Sequence, residues 1–156
     1  GEGYEAERVP TLEDALRLPN VRLMIEMKTV ARPEMLARVV LEVVHKARAE
    51  NRVILASFDA AVLAAAHKAD PTMPLMGLAE TADELRTMLT LPIDAVGVKT
   101  TLASEALDTA PKHMPVWVWT IYTSAGADEM IRLGVQGLIT DVPKRLVRHV
   151  GQAASL

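Results

Sequence analysis

The interpretation of this chain rests on one short apolar segment, Val21-Arg22-Leu23-Met24-Ile25-Glu26-Met27-Lys28. Side chains alternate between the two faces of a β-strand, so Met24, Glu26 and Lys28 are predicted to share one face. Two opposite charges on one face of a central strand are costly unless they meet each other, a metal ion or an anionic ligand. The segment therefore predicts a strand whose C-terminal end carries a site for charged groups.

The rest of the chain repeats a strand followed by a helix. Strands are predicted over residues 22–28, 52–58, 74–78, 94–98, 116–120 and 135–140. Helices are predicted over residues 11–18, 33–50, 59–69, 81–89, 102–109 and 125–133, and from residue 141 onward. Strands that are joined by helices form parallel sheets, so the sequence predicts an α/β fold with about six parallel strands, each followed by a helix.

Local signals mark where several of these helices begin and end. Thr11 with Asp14, and Thr81 with Glu84, have the residue types and the spacing of a capping box, close to its usual form. Gly134 follows a predicted helix and is expected to end it, because glycine adopts the left-handed conformation that closes many helices.

Two architectures fit six strand–helix units at this point: an open doubly wound sheet and a (β/α) barrel. No strand is followed by a Gly-rich dinucleotide fingerprint or by a phosphate loop ending in Gly-Lys-Ser/Thr. Six units are two fewer than a closed eight-stranded barrel needs.

Composition limits the classes of function. The 156 residues are 50% hydrophobic and 24% charged, which is typical of one globular domain. The net charge of −3 gives no electrostatic reason to expect a nucleic-acid partner. No apolar run approaches the roughly 18–20 residues of a membrane helix, so no transmembrane segment is expected. The absence of cysteine excludes thiol chemistry. The default expectation for localisation is the cytoplasm, although a signal peptide could precede Gly1.

Five motifs in chain order resemble one known family. They are Glu7-Arg8-Val9-Pro10-Thr11-Leu12-Glu13-Asp14-Ala15-Leu16, Ile25-Glu26-Met27-Lys28, Val53-Ile54-Leu55-Ala56-Ser57-Phe58-Asp59, Val116-Trp117-Val118-Trp119-Thr120 and Gly134-Val135-Gln136-Gly137-Leu138-Ile139-Thr140-Asp141-Val142-Pro143. Each motif is weak alone, but together they resemble the C-terminal three quarters of glycerophosphodiester phosphodiesterases, from about Glu7 to Val150. The resemblance implies an incomplete TIM-type barrel that supplies strands three to eight, with residues 1–156 as a single domain.

The resemblance also assigns roles to three residues. Glu26 matches a metal-ligating carboxylate, and Lys28 matches a catalytic lysine that also binds the phosphate. Trp119 lies near a family aromatic residue at the mouth of the site, where it would contact the substrate. The family implies a divalent metal, Mg²⁺ or Ca²⁺, in the complete enzyme. Trp117, on the same face as Trp119, is predicted to fill the core.

The implied reaction is hydrolysis of glycerophosphodiesters to glycerol 3-phosphate and an alcohol, a step of lipid metabolism. The family's His-Arg-Gly, Glu-Asn-Thr, Glu-x-Asp and His-Asp motifs belong to its first two strands and do not occur in this sequence. We therefore expect the chain alone to be inactive and to bind a divalent metal weakly or not at all, and its open barrel to form a homo-oligomer. The alternatives are a non-catalytic, self-associating scaffold or binding protein, and another phosphate-binding barrel that shares the Glu-x-Lys strand.

Overall fold

A computed structural model describes residues 3, 4 and 6–153. Its strands are β1 (Leu23–Glu26), β2 (Val53–Ser57), β3 (Leu75–Ala79), β4 (Ala95–Lys99), β5 (Val116–Trp119) and β6 (Gly137–Leu138). Its helices are α1 (Leu12–Leu16), α2 (Pro33–Lys46), α3 (Ala60–Ala69), α4 (Ala82–Met88), α5 (Ala103–Thr109), α6 (Ser124–Leu133) and α7 (Pro143–Ala153), with short 3₁₀ turns at Glu50–Arg52 and Thr100–Leu102.

The six strands form one parallel sheet in the order β1-β2-β3-β4-β5-β6. This sequential order decides between the two architectures, because a doubly wound sheet reverses its strand order at a switch point and a barrel does not. The sheet curls into a half-barrel with its helices outside, so the prediction of an incomplete TIM-type barrel is confirmed. Within the described chain, β1 and β6 each pair on one side only.

The side of the sheet that faces the helices holds the main hydrophobic core. Its strand residues include Leu55, Leu75, Val96, Val116 and Val118, each at most 1% exposed. Buried residues of α2, α3, α4, α5 and α6 pack against them. Near-continuous burial of strand residues is expected where a parallel sheet is covered by helices.

The concave side of the sheet holds a smaller second cluster. Ala56, Met76, Leu78 and Ala95 are buried there, and Trp117 packs against them. A side chain at Gly137 would overlap the ring of Trp117, so this glycine leaves room for the indole. The prediction that Trp117 fills the core is consistent with this position.

Several local signals act as predicted, and the largest differences from the predicted bounds are at α2 and β6. Strand β1 also ends at Glu26, so Lys28 lies just beyond the strand. Both capping boxes form, and Gly134 ends α6 with φ 104°. Helix α2 ends at Lys46 rather than at residue 50, because Arg48 adopts a left-handed φ of 50° that interrupts the helix. Strand β6 is shorter than predicted, although the amide of Ile139 still donates to the carbonyl of Val118 at 2.8 Å.

Within the described residues, no helix is long and apolar enough to cross a membrane.

Candidate functional site

The C-terminal ends of the strands form the mouth of the half-barrel, where active sites of (β/α) barrels gather. The register pairs Glu26 with Ala56 and Lys99 with Trp119, and Ala56 belongs to the concave cluster. Since side chains alternate along each strand, Phe58 and Glu80 fall on the same concave face, directly after β2 and β3. We call the set Glu26, Lys28, Phe58, Glu80, Lys99 and Trp119 the mouth cluster.

Glu26 and Lys28 form an ion pair at one edge of the mouth. The Lys28 Nζ lies 2.5 Å from Glu26 Oε1, and the two side chains are 77% and 30% exposed, respectively. The predicted sharing of one strand face therefore brings the two charges together. Because the lysine is largely in water, we expect this pair to contribute little to stability.

A second ion pair lies on the neighbouring strands. Lys99 Nζ donates to Glu80 Oε2 at 2.9 Å and lies 5.7 Å from the centre of the Trp119 ring. Phe58 meets the same indole edge to face, with ring centres 5.7 Å apart. The rings of Phe58 and Trp119 therefore lie beside Lys99 at the centre of the mouth.

Trp119 also has an unpaired polar atom. Its indole Nε1 is buried and has no hydrogen-bond acceptor within the described chain. A buried donor without an acceptor costs about 1–3 kcal/mol, so this position favours any contact that would supply an acceptor.

Ser57 and Asp59 fix the backbone below the mouth and are not free for chemistry. The Ser57 hydroxyl is fully buried, donates to the carbonyl of Met27 at 2.7 Å and accepts from the amide of Asp59 at 3.0 Å. Asp59 in turn accepts from the amide of Ala61 and caps α3. These bonds join the segment after β1 to the start of α3 and so position Lys28.

The residues described here do not fit a complete site for a divalent metal. Mg²⁺ and Ca²⁺ are bound by several oxygen ligands. The mouth cluster offers two carboxylates, Glu26 and Glu80, and each is already paired with a lysine. Among residues 3, 4 and 6–153, no group of three or more histidine, aspartate or glutamate side chains could hold a metal ion.

The sequence indicated part of this arrangement. The pairing of Glu26 with Lys28 follows from strand alternation, and Trp119 lies at the C-terminal end of β5. The roles of these three residues in a site remain predictions. Phe58 and Glu80 were missed. Their only sequence signal is that each follows a strand at a position that shares the concave face, and using it requires the exact end of that strand.

Comparison with known proteins agrees with the resemblance. The sequence profile described as the glycerophosphoryl diester phosphodiesterase family matches residues 1–145. The chain belongs to this family. No curated protein matches it.

Solved structures of the family share the fold. A glycerophosphodiester phosphodiesterase from Parabacteroides distasonis is 24% identical, with a TM-score of 0.81 over 93% of this chain and 65% of its own. A phosphodiesterase from Oleispira antarctica, solved with the product sn-glycerol-3-phosphate, is 16% identical, with a TM-score of 0.81 over 91% of this chain and 61% of its own. A Galdieria sulphuraria protein described as a glycerophosphodiester phosphodiesterase is 19% identical, with a TM-score of 0.79 over 91% and 64%. The chain thus spans less than two thirds of the length of each.

Proposed function

We propose that this chain, folding as one domain, supplies the phosphate-binding mouth of a glycerophosphodiester phosphodiesterase. The observation that carries the proposal is the Glu26–Lys28 pair at the C-terminal end of β1, on the concave face. In an enzyme of this family the reaction releases glycerol 3-phosphate and an alcohol. Family membership and the position of the pair support this assignment.

Lys28 and Lys99 are the groups that would bind the phosphate. Each is held near the mouth by one carboxylate, and a phosphodiester could take a place beside either ammonium. An ammonium beside the phosphorus also offsets the negative charge that develops during phosphoryl transfer. Trp119, between Lys99 and Phe58, would contact the carbon chain of the glycerol.

Hydrolysis requires more than the described residues supply. The resemblance assigns Glu26 to a metal-ligand position, but here its carboxylate is paired with Lys28. We propose that catalysis takes place only when further oxygen ligands and acid–base groups join Glu26, in a longer protein or an assembly. The isolated chain should bind glycerol 3-phosphate weakly and should not turn over glycerophosphodiesters.

Binding by Lys28 can be measured by calorimetric titration with glycerol 3-phosphate. Lys28→Gln should weaken binding about fivefold, the effect of losing roughly 1 kcal/mol of charge attraction near the surface. Lys112→Gln is the matched control, because Lys112 is exposed ahead of β5, at the opposite end of the sheet. Equal affinities for wild type and Lys28→Gln would remove Lys28 from the site.

Activity is measured by release of glycerol 3-phosphate from glycerophosphocholine. The chain alone should show no release above buffer. Turnover by the pure chain that disappears in Glu26→Gln would contradict the proposal that further groups are needed.

A second candidate function is a non-catalytic, self-associating scaffold. The edges of β1 and β6 favour it, because an edge strand presents unpaired backbone groups that another chain can pair. Val21 and Met24, 40% and 37% exposed, add apolar surface beside the β1 edge. Light scattering at micromolar concentration should therefore give a mass above that of the monomer. A sharp monomer mass would remove this candidate.

A further inference from the structure

The backbone that carries Trp119 is bound on both sides to the segment that follows β6. Before the tryptophan, the carbonyl of Val118 accepts from the amide of Ile139 at 2.8 Å. After it, the amide of Ile121 donates to the carbonyl of Ile139 at 2.9 Å, and the carbonyl of Ile121 accepts from the hydroxyl of Thr140 at 2.5 Å. Hydrogen bonds from residues 139 and 140 therefore hold the chain where Trp119 leaves the strand.

The Thr140 hydroxyl makes two of the bonds that close this end of the sheet. Besides donating to Ile121, it accepts from the amide of Val142 at 3.0 Å. Ile121 is buried in the main core, and Val142 packs against the same core. A hydroxyl group has one proton to donate, so its donation to Ile121 leaves its lone pairs for the amide. The hydroxyl thus joins the turn after β5 to the turn before α7.

Ser57 makes the same kind of bridge between β1 and β2. Its hydroxyl donates to the carbonyl of Met27, just beyond β1, and accepts from the amide of Asp59, two positions along its own segment. In both bridges a hydroxyl residue near the end of one strand holds the turn that follows the preceding strand. One bridge lies next to Lys28 and the other lies close to Trp119, so both support the backbone of mouth residues.

We infer that Thr140 is a positioning residue of the mouth, whose hydroxyl bridge holds the indole of Trp119 in place. The ring centre lies 5.7 Å from Lys99 Nζ and 5.7 Å from the ring centre of Phe58. Because Ile121 is only two residues from the tryptophan, loss of its bond to Thr140 lets the turn relax and moves the ring. The consequence for binding rests on the proposed function, in which Trp119 contacts the glycerol carbons.

Two substitutions separate the hydroxyl group from the shape of the side chain. Thr140→Val keeps the branched shape and removes both hydrogen bonds, whereas Thr140→Ser keeps both bonds. In a ¹⁵N NMR spectrum without ligand, Thr140→Val should shift the indole N–H signal of Trp119, and Thr140→Ser should leave it close to its wild-type position. The Trp119 signal is the one that is missing in Trp119→Phe. An unshifted signal in Thr140→Val would overturn the inference.

Two controls separate positioning from a general loss of stability. The Thr109 hydroxyl donates to the carbonyl of Glu105 in α5, a bond of the same type, so Thr109→Val is the matched variant. It should leave the Trp119 signal unchanged. The signal of Trp117, on the same strand, should stay in place in Thr140→Val. Equal shifts in Thr109→Val, or an equal shift of Trp117, would overturn the inference. If Thr140→Val does not fold, Thr140→Ala removes the same two bonds and gives the same comparison.

Calorimetric titration with glycerol 3-phosphate tests the consequence for binding. Thr140→Val should bind a few-fold more weakly than wild type, and Thr140→Ser should bind as wild type does. A shifted Trp119 signal with unchanged affinity would overturn the inference, because the position of the ring would then not matter to the ligand.

The spectrum without ligand separates this inference from the proposed function. If wild type binds glycerol 3-phosphate and Thr140→Val has neither a shifted Trp119 signal nor a lower affinity, the role of Thr140 fails and the proposed function stands. If Thr140→Val shifts the signal but wild type does not bind the ligand, the proposed function fails. The bridge then still positions the indole, but its consequence for binding is overturned as well.

Discussion

The two sides of the same six strands differ in what they bury. On the side that faces the helices, residues such as Leu55, Val96 and Val118 are completely buried in one large core. At the mouth of the concave side, Lys28 and Lys99 are 77% and 43% exposed, and each pairs with a carboxylate. The two sets of side chains alternate along the strands, so that of two successive residues one faces the hydrophobic core and the other faces the concave side.

This difference indicates that stability and ligand binding are divided between the two sides. Buried aliphatic groups contribute through the area that they remove from water. Exposed ion pairs contribute little, but they can exchange partners when a charged ligand arrives. Substitutions on the helix side should therefore change the free energy of unfolding, and substitutions in the mouth should change ligand affinity.

The largest effect is expected from Leu55→Ala. Leu55 is fully buried between β2 and the helices, so the substitution should lower the free energy of unfolding by about 2–5 kcal/mol. Leu18→Ala is the matched control, because Leu18 is 51% exposed and should change stability by less than about 0.5 kcal/mol. Urea unfolding followed by circular dichroism measures both. Similar losses of unfolding free energy in the two variants would contradict the assignment of stability to the side that faces the helices.

Gly137→Ala should give the next largest effect, on the concave side itself. The new methyl group would overlap the Trp117 ring, and overpacking of this kind costs about 1–3 kcal/mol. At Gly151, in α7, an added methyl group would meet nothing within 4 Å, so Gly151→Ala should be neutral or slightly stabilising. The same urea experiment compares them. A stable Gly137→Ala variant would show that the Trp117 ring can move aside.

Glu26→Gln should separate binding from stability. Its free energy of unfolding should change by less than about 1 kcal/mol, because the partner Lys28 is largely exposed. In metal-free buffer its affinity for glycerol 3-phosphate should rise a few-fold, since Lys28 loses its competing carboxylate. Calorimetry measures the affinity. A large loss of stability, or weaker phosphate binding, would contradict the proposal that Lys28 binds phosphate and that Glu26 competes with phosphate for it.

The smallest expected effect is on the pH dependence of stability, through a carboxyl group on the helix side of the sheet. Hydrogen bonds from Thr72 hold the pKa of Asp70 below its ordinary value, and His45, 2.9 Å away, lowers it further. A depressed carboxyl pKa contributes stability above the unfolded value, near pH 4, and this contribution is lost as the pH falls through the folded value.

Asp70→Asn should therefore reduce the drop in urea midpoint between about pH 6 and about pH 3. Asp108→Asn serves as the control, because Asp108 is exposed on α5 and makes no hydrogen bond through its carboxylate within the described chain. An unchanged drop in Asp70→Asn would show that this carboxyl group does not contribute to the acid sensitivity.

Much of the fold could be predicted because its signals are local. Capping boxes at Thr11 and Thr81 and the glycine at 134 act within one helical turn, and strand alternation acts within one strand. The pairing of Glu26 with Lys28 is also local, since the two residues are two positions apart.

The parts that could not be predicted depend on contacts between distant segments. Glu80 and Lys99 are 19 residues apart and meet only because β3 and β4 are neighbours in register. Arg48 ends α2 early without the glycine or proline that would mark the turn in sequence. A cavity beside Tyr122 is likewise lined by residues that follow two different strands and by residues of α6.

The two tryptophans provide the most direct test of the division between mouth and core. Both point to the concave side, but Trp119 lies in the mouth and Trp117 packs against the buried cluster about 7 Å deeper along β5. With only two indole N–H signals in the chain, a ¹⁵N NMR titration with glycerol 3-phosphate observes each one separately. If ligand binding is confined to the mouth, the Trp119 signal shifts and the Trp117 signal does not. A shift of Trp117 as large as that of Trp119, or no shift of either at saturating ligand, would contradict it.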